Sequence, residues 1–531
     1  MRSSIIKNTE AVEKAYPAAR HGRRPKASEQ SGRISSEREV FFRPVPVPFW
    51  VLTLFAAGTA GLTANPSLSA VSILLLPILG SLLWRKGESP ILLFCCAMQW
   101  LQAVAGVFYA DYQDISQHSL FGVSEMDKAT WLSLCGVLVL AVGMRLALCV
   151  KSRPKQIGNE QGFKDISLLR AFIAWVAAFG VAWIASIFAW RFAGLTQIIY
   201  AFIAFKWVFF FVLARLVILK DRGYSLLLIA VAVEFTNGVI GYFGGFKEVL
   251  FMLLIVVFSI PGRLSWRSRE LVAATTCLVL AASLLWTSVK MEYRAFLNQG
   301  TNEQKVTIPV KERFEKLGQL LKDLNRVRLT DNIDDLVMRV SYTMYFAHTL
   351  DYVPAIVPYE RGQLWFDAIA RVFMPRLFFP NKSATNDSLR AEKYTGIKVA
   401  GTEEGSSIGI GYMGESYIDF GLYGMFLPIF LLGAFFGMIY RYFAFSSKSW
   451  LLGSAIATAI LFLSAQKVET SNVKIVGGAV TVCLVMFVFD RSLGPRVMNL
   501  LLNKPATMRR SSGRRKRTID SVGMKDFRRG Q

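Results

Sequence analysis

Twelve apolar runs joined by mostly short polar connections decide what this chain can fold into. They fall at roughly 49–64, 68–84, 90–109, 130–149, 168–190, 198–219, 224–243, 247–260, 271–289, 421–440, 450–465 and 473–489. A soluble core cannot absorb that many apolar segments. A bilayer can, because about 20 apolar residues in a helix cross its ~30 Å of hydrocarbon and a helix satisfies its own backbone there. The expected fold is therefore an all-α polytopic membrane protein, with about twelve transmembrane helices and one large, mainly helical extracytoplasmic loop. The run at 247–260 follows Gly241, Gly244 and Gly245, so a half-helix is an open reading there.

Composition agrees: 53% of the 531 residues are hydrophobic, 18% are charged and the mean hydropathy is +0.39. The net charge of +24 does not indicate nucleic acid, because the excess sits in tails and alternate loops. Arg85 and Lys86, Lys151, Arg153 and Lys155, Lys220 and Arg222, Arg263, Arg267 and Arg269, and Arg441 and Lys448 fall on every second connection. The alternate connections are acidic or sparse, as at Asp111, Asp114, Glu125 and Asp127. Positive charge stays on the cytosolic side, so both termini are expected in the cytosol. Residues 1–47 then form a disordered basic arm (ten Lys/Arg, five Asp/Glu), 48–289 carry helices one to nine, 290–420 form the outer loop, 421–490 carry the last three helices, and 491–531 form a basic cytosolic tail.

Cys95, Cys96, Cys135, Cys149, Cys277 and Cys483 lie in or at the ends of apolar segments, and His21, His118 and His348 form no cluster. Neither set has metal-ligand spacing, so no metal or cofactor is expected. Phe314, Leu317, Leu321 and Leu324, then Ile333, Leu336, Val340 and Met344, recur at helical spacing. They predict two amphipathic helices in the loop. Lys206 lies about 8 residues, roughly 12 Å, inside its helix, and Glu234 lies at a comparable depth in the next one; an intramembrane ion pair is expected.

The loop's chemistry concentrates between Arg361 and Tyr423. From Arg361 to Lys398 there are seven Lys/Arg and three Asp/Glu, a positive excess on the side where membrane rules disfavour it. An anionic substrate held by guanidinium forks is one reason; anionic headgroups and plain pairing, such as Asp367 with Arg371, are the others. Leu364, Trp365, Ile369, Val372 and Phe373 make an apolar helical face, as expected of a helix lying in the interface. Its candidate ligands are Arg361, Arg371, Arg376 and Lys382. A Gly-rich run from Gly405 to Gly414 then leads to Glu415, Tyr417 and Asp419. Glu415 and Asp419 are i,i+4, and paired carboxylates there can activate an acceptor hydroxyl or orient arginines.

The order Pro375-Arg376-Leu-Phe-Phe-Pro380-Asn-Lys382, the Gly-rich run, and Gly414-Glu415-Ser-Tyr417-Ile-Asp-Phe420-Gly421-Leu-Tyr-Gly424 resembles Wzy-type O-antigen and exopolysaccharide repeat-unit polymerases. The twelve-span plan with its large late loop is similar too. Arg390 and Gly401 match an Arg-x10-Gly spacing associated with such loops. The resemblance implies an inverting, metal-independent glycosyltransferase in the cytoplasmic (inner) membrane. It would move a growing glycan from undecaprenyl pyrophosphate onto a new lipid-linked repeat. Arg376 and Lys382 would bind pyrophosphate and Glu415 would orient or activate the acceptor; Tyr417, Asp419 and Arg390 complete the candidate site. The bilayer, a chain-length regulator and a flippase are the implied partners. A lipid-linked glycan ligase and a polysaccharide transporter or flippase are the alternatives.

Overall fold

The computed structural model describes residues 42, 45–149, 165–189, 196–241, 245–262, 265–299, 308–322, 333–334, 336–374, 379, 382, 385–399, 407–466 and 469–502. These belong to one compact unit, Glu39–Gln531. The basic arm as far as residue 41, the tail from residue 503, Leu324, Arg376 and Gly401 lie outside the described residues. Helices are the only regular elements among those residues, besides a single antiparallel bridge between Ile166 and Leu502.

The helices are α1 (Val47–Thr59), α2 (Pro66–Leu83), α3 (Ile91–Tyr112), α4 (Gln117–Phe121), α5 (Met126–Cys149), α6 (Leu168–Ala189), α7 (Thr196–Ala201), α8 (Ala204–Lys220), α9 (Tyr224–Val239), α10 (Phe246–Phe258) and α11 (Trp266–Leu297). After them come α12 (Val310–Lys322), α13 (Thr343–Tyr352), α14 (Gln363–Val372), α15 (Asp387–Thr395), α16 (Tyr412–Gly424), α17 (Phe426–Ser446), α18 (Trp450–Ser464), α19 (Asn472–Ser492) and α20 (Gly494–Leu501). Among the described residues, seven segments are long and apolar enough to cross a membrane: α2, α3, α5, α6, Gln197–Lys220, α17 and α19. The other apolar runs form shorter helices (α1, α9, α10 and α18) or the bent α11, whose halves meet at 44°. At 1.5 Å per residue a 15-residue helix rises only about 22 Å. For α18 the length matters little to the packing: Leu451 through Phe462 are all buried, so it is sheathed in protein on every side.

The interface that carries the site's helix is between α5 and α17. Gly433 and Gly437 of α17 lie against the backbone of α5; a Cβ on Gly433 would stand 2.2 Å from the Leu140 carbonyl oxygen. Glycines four apart let two backbones approach this closely in a membrane. Because α16 runs into α17, this contact fixes where α16 sits. Gly421, near the end of α16, kinks that helix with φ 70° and ψ −168°, a conformation glycine tolerates.

The expected ion pair is present: Lys206 Nζ donates to Glu234 Oε2 at 2.7 Å, and the Glu234 side chain is 1% exposed. The lysine also lies over the Trp207 ring at 4.4 Å. Breaking a buried pair strands a charge at a cost of about 3–5 kcal/mol. Lys206→Glu is therefore expected to lower the yield of folded protein, and the double variant with Glu234→Lys to restore it. Size-exclusion profiles of the three proteins check this; no recovery in the double variant would deny the pair its structural role.

After α11, helix α12 packs back on it through Leu317 and Leu320 against Trp286, Val289, Tyr293 and Leu297. Helix α13 buries Phe346, Ala347 and Leu350 on the bundle, where Ser124 Oγ just before α5 donates to Asp351 at 3.1 Å. The apolar residues of α14 do not share one face as the sequence spacing suggests. Leu364 and Ala368 turn inward, Trp365 is half-buried, and Phe366, Ile369 and Phe373 are exposed. The helix therefore has a protein side, against α16 and α19, and a separate apolar outer side.

Candidate functional site

The site is assembled around the first turns of α16. Gly411 sits at φ 92° and opens the helix; Tyr412 through Asp419 are all buried. Glu415 is 1% exposed. Its Oε1 accepts from Arg390 at 3.0 Å, and its Oε2 accepts from the backbone N–H of Asn472, the first residue of α19, at 2.8 Å. One carboxylate thus meets a guanidinium and the positive end of a 21-residue helix. Burial pushes the Glu415 carboxyl above the usual glutamate range; Arg390 and the Asn472 N–H pull it back only in part.

Charges alternate outward from Glu415. Arg390 Nη2 lies 3.9 Å from Asp367 Oδ2, and Arg371 Nε donates to both Asp367 oxygens at 2.8 and 2.9 Å. Exposure rises from 1% at Glu415 to 15% at Arg390 and 33% at Asp367, and is 18% at Arg371. Lys382 Nζ donates to the carbonyls of Arg371 (2.7 Å) and Met374 (3.0 Å), closing the end of α14. Two guanidinium groups and one ammonium group therefore gather along α14 and α15, held by acids and carbonyls.

Asp419 has a different task from Glu415, although the two are one turn apart. Its oxygens accept from the N–H groups of Leu364 (3.1 Å) and Trp365 (2.8 Å) in the first turn of α14. The cap position of α14 is Gly362, at φ 93° and without a side chain, so a carboxylate from α16 satisfies those donors instead. Trp365 Nε1 adds a bond to Ser416 Oγ at 3.0 Å. Asp419 is therefore a positioning residue for α14. Tyr417 is likewise engaged in the fold: its hydroxyl donates to the Val353 carbonyl at 2.8 Å and its ring packs edge-on against Phe346 and Tyr359. Arg361 is exposed, at φ 54°, just before α14. His348, half-buried on α13, has its imidazole pKa lowered by burial. Among the described residues no three His, Cys, Asp or Glu side chains could hold a metal ion.

The sequence spacing singled out neither Asp387 nor Asn472. Asp387 Oδ2 pairs with Lys474 at 2.6 Å, so the first turns of α15 and α19 face one another. Asn386 ahead of Asp387 is a helix-start signal: its side chain accepts from the Leu389 N–H at 3.1 Å. That signal places α15 but says nothing of its partner 87 residues on, as Asp387 and Lys474 are separated in sequence.

A family model described as a domain of unknown function (DUF8712) matches residues 96–489, from within α3 to the last turn of α19. The match contains every residue of the site. No curated protein and no solved structure matches the chain.

Proposed function

We propose that this chain, which belongs to the DUF8712 family, is a polymerase of lipid-linked sugar repeats. It joins undecaprenyl-pyrophosphate-linked oligosaccharides into exopolysaccharide or O-antigen at the outer face of a bacterial cytoplasmic membrane. The observation that carries this reading is the row Glu415–Arg390–Asp367–Arg371 beside a helix with an exposed apolar side. A lipid pyrophosphate sits at headgroup depth, where an interfacial helix also lies. Guanidinium forks fixed at that depth match its geometry.

In this reading the shorter apolar helices complete a twelve-span plan and both termini lie in the cytosol. Arg390 and Arg371, with Lys382 and Arg361 around them, draw the pyrophosphate and stabilise its charge as it leaves. Arg376 joins them on the strength of its motif. The geometry favours Glu415 orienting Arg390 over Glu415 touching the acceptor, since both its oxygens are engaged. The flippase that delivers repeats and a chain-length regulator would be its partners.

A deletion strain tests the reaction. Single lipid-linked repeats, translocated but never joined, are the expected result. Repeats held on the cytosolic face would make the chain a flippase, and finished polymer lacking its anchor would make it a ligase. Elongation should also lose rate on acidification above the ordinary glutamate range, because protonating Glu415 releases Arg390. Glu415's stability contribution runs the other way: with its folded pKa raised, it is full below the unfolded value and is lost as pH rises through the folded one. Rate and thermal unfolding measured across the same pH series check both signs.

A further inference from the structure

The first turns of α15 and α19 hold polar atoms that nothing among the described residues satisfies. Asp387 is 3% exposed; its Oδ2 is taken by Lys474, but its Oδ1 is buried without a hydrogen-bond partner. Asn472 is fully buried, and both its Nδ2 and its Oδ1 are unpartnered. Ser471 is fully buried too; it stands at the cap of α19, yet its Oγ makes no capping bond and has no other partner. Serine at that position normally accepts from the helix's own N–H groups. Here Glu415 serves the α19 terminus instead. Buried groups of this kind are nearly always satisfied, so several together mark a place for something that binds.

The donor and acceptor pattern says what fits. A carboxylate oxygen accepts, an amide both donates and accepts, and a hydroxyl does the same. A pyrophosphate diester, which carries no proton at neutral pH and only accepts, would be repelled by Asp387. A sugar hydroxyl donates and accepts and suits the whole set. Lys474, the partner of Asp387 Oδ2, is 49% exposed on its side chain and also donates to Ser407 Oγ at 3.1 Å, so the cluster borders an exposed residue. The neighbouring cation is in place as well: Arg390 is three residues from Asp387 on α15 and is tied through Glu415 to Asn472.

We propose that Asp387, Asn472 and Ser471 form the subsite for the attacking hydroxyl of the acceptor sugar, with Asp387 Oδ1 as the base; this rests on the polymerase reading. The hydroxyl oxygen forms a bond to the anomeric carbon of the donor sugar. The bond from that carbon to the pyrophosphate oxygen breaks, and its electron pair leaves with the undecaprenyl pyrophosphate beside Arg390. The hydroxyl proton passes to Asp387. Asn472 and Ser471 hold the hydroxyl in line.

The test uses the full-length protein in nanodiscs with lipid-linked saccharide extracted from the deletion strain. Asp387→Asn should lower kcat about 100-fold or more, the usual worth of a general base, with KM for the acceptor nearly unchanged. Asn472→Ala should instead raise that KM about tenfold, as expected when one hydrogen bond to substrate is lost. Thermal unfolding midpoints matching the wild type separate these effects from misfolding. Lys474 is half exposed and can be solvated, so Asp387→Asn strands no buried charge; if it fails to fold regardless, the KM of Asn472→Ala decides. Wild-type kinetics in the variants would mean that water alone meets these atoms, overturning the subsite while polymerisation stands. A wild-type protein that joins nothing would overturn both.

Discussion

Arg390→Ala is expected to abolish chain elongation, and Glu415→Ala to do so too: the first strands the buried Glu415 carboxylate, and the second leaves Arg390 to the more distant Asp367 at 3.9 Å. Glu415 is 1% exposed and meets Arg390 at 3.0 Å. Removing one member of such a pair costs about 3–5 kcal/mol, a large share of the stability of any fold. The informative variants are therefore the milder ones. Glu415→Gln keeps an acceptor for the Asn472 N–H but cancels the charge that orients Arg390. Arg390→Lys keeps the charge but loses the fork that grips a carboxylate and a phosphate together. Both should fold, and both should lose about 100-fold or more in elongation rate, the scale seen when one electrostatic contact to a leaving group is removed. Product length on gels, read beside thermal unfolding, checks the claim. Full-length product from a folded Arg390→Lys protein would take Arg390 out of the chemistry.

Gly433→Leu prevents folding altogether. The Cβ alone would stand 2.2 Å from the Leu140 carbonyl oxygen and 2.9 Å from its carbon. Those atoms belong to the backbone of α5, which cannot step aside without moving α17 and, through it, α16. Overpacking with one or two methylenes costs about 1–3 kcal/mol; four carbons against a helix backbone exceed that. Gly478 of α19 is the control, because a Cβ there meets nothing within 4 Å. Gly478→Ala should leave stability unchanged or raise it by up to about 1 kcal/mol through helix propensity. Yield of monodisperse protein and unfolding midpoint measure both. A stable Gly433→Leu protein would mean that α5 and α17 do not pack this closely.

What the sequence disclosed follows from what local pattern can carry. Apolar runs located the helices, and depth within consecutive helices was enough to pair Lys206 with Glu234. Surroundings were harder: the apolar run of α18 does not say that its residues from Leu451 to Phe462 are all sheathed in protein. Periodicity drew one apolar face on α14, whereas Leu364 and Ala368 face protein while Ile369 and Phe373 are exposed; hydrophobicity does not distinguish a protein neighbour from lipid. The i,i+4 spacing of Glu415 and Asp419 suggested joint work, but the carboxylates serve two different helix starts. Asp387 meets Lys474, and Glu415 meets the Asn472 N–H, only because α15, α16 and α19 are brought together in the fold, and no spacing along the chain records that.

Sidedness is the most direct test. Arg361 is exposed just before α14, the helix that carries Asp367 and Arg371 of the row. In a variant with all six native cysteines replaced, Arg361→Cys should react with a membrane-impermeant maleimide in intact spheroplasts. Labelling that appears only after lysis would put the row in the cytosol, where no translocated lipid-linked sugar could reach it, and would contradict the account.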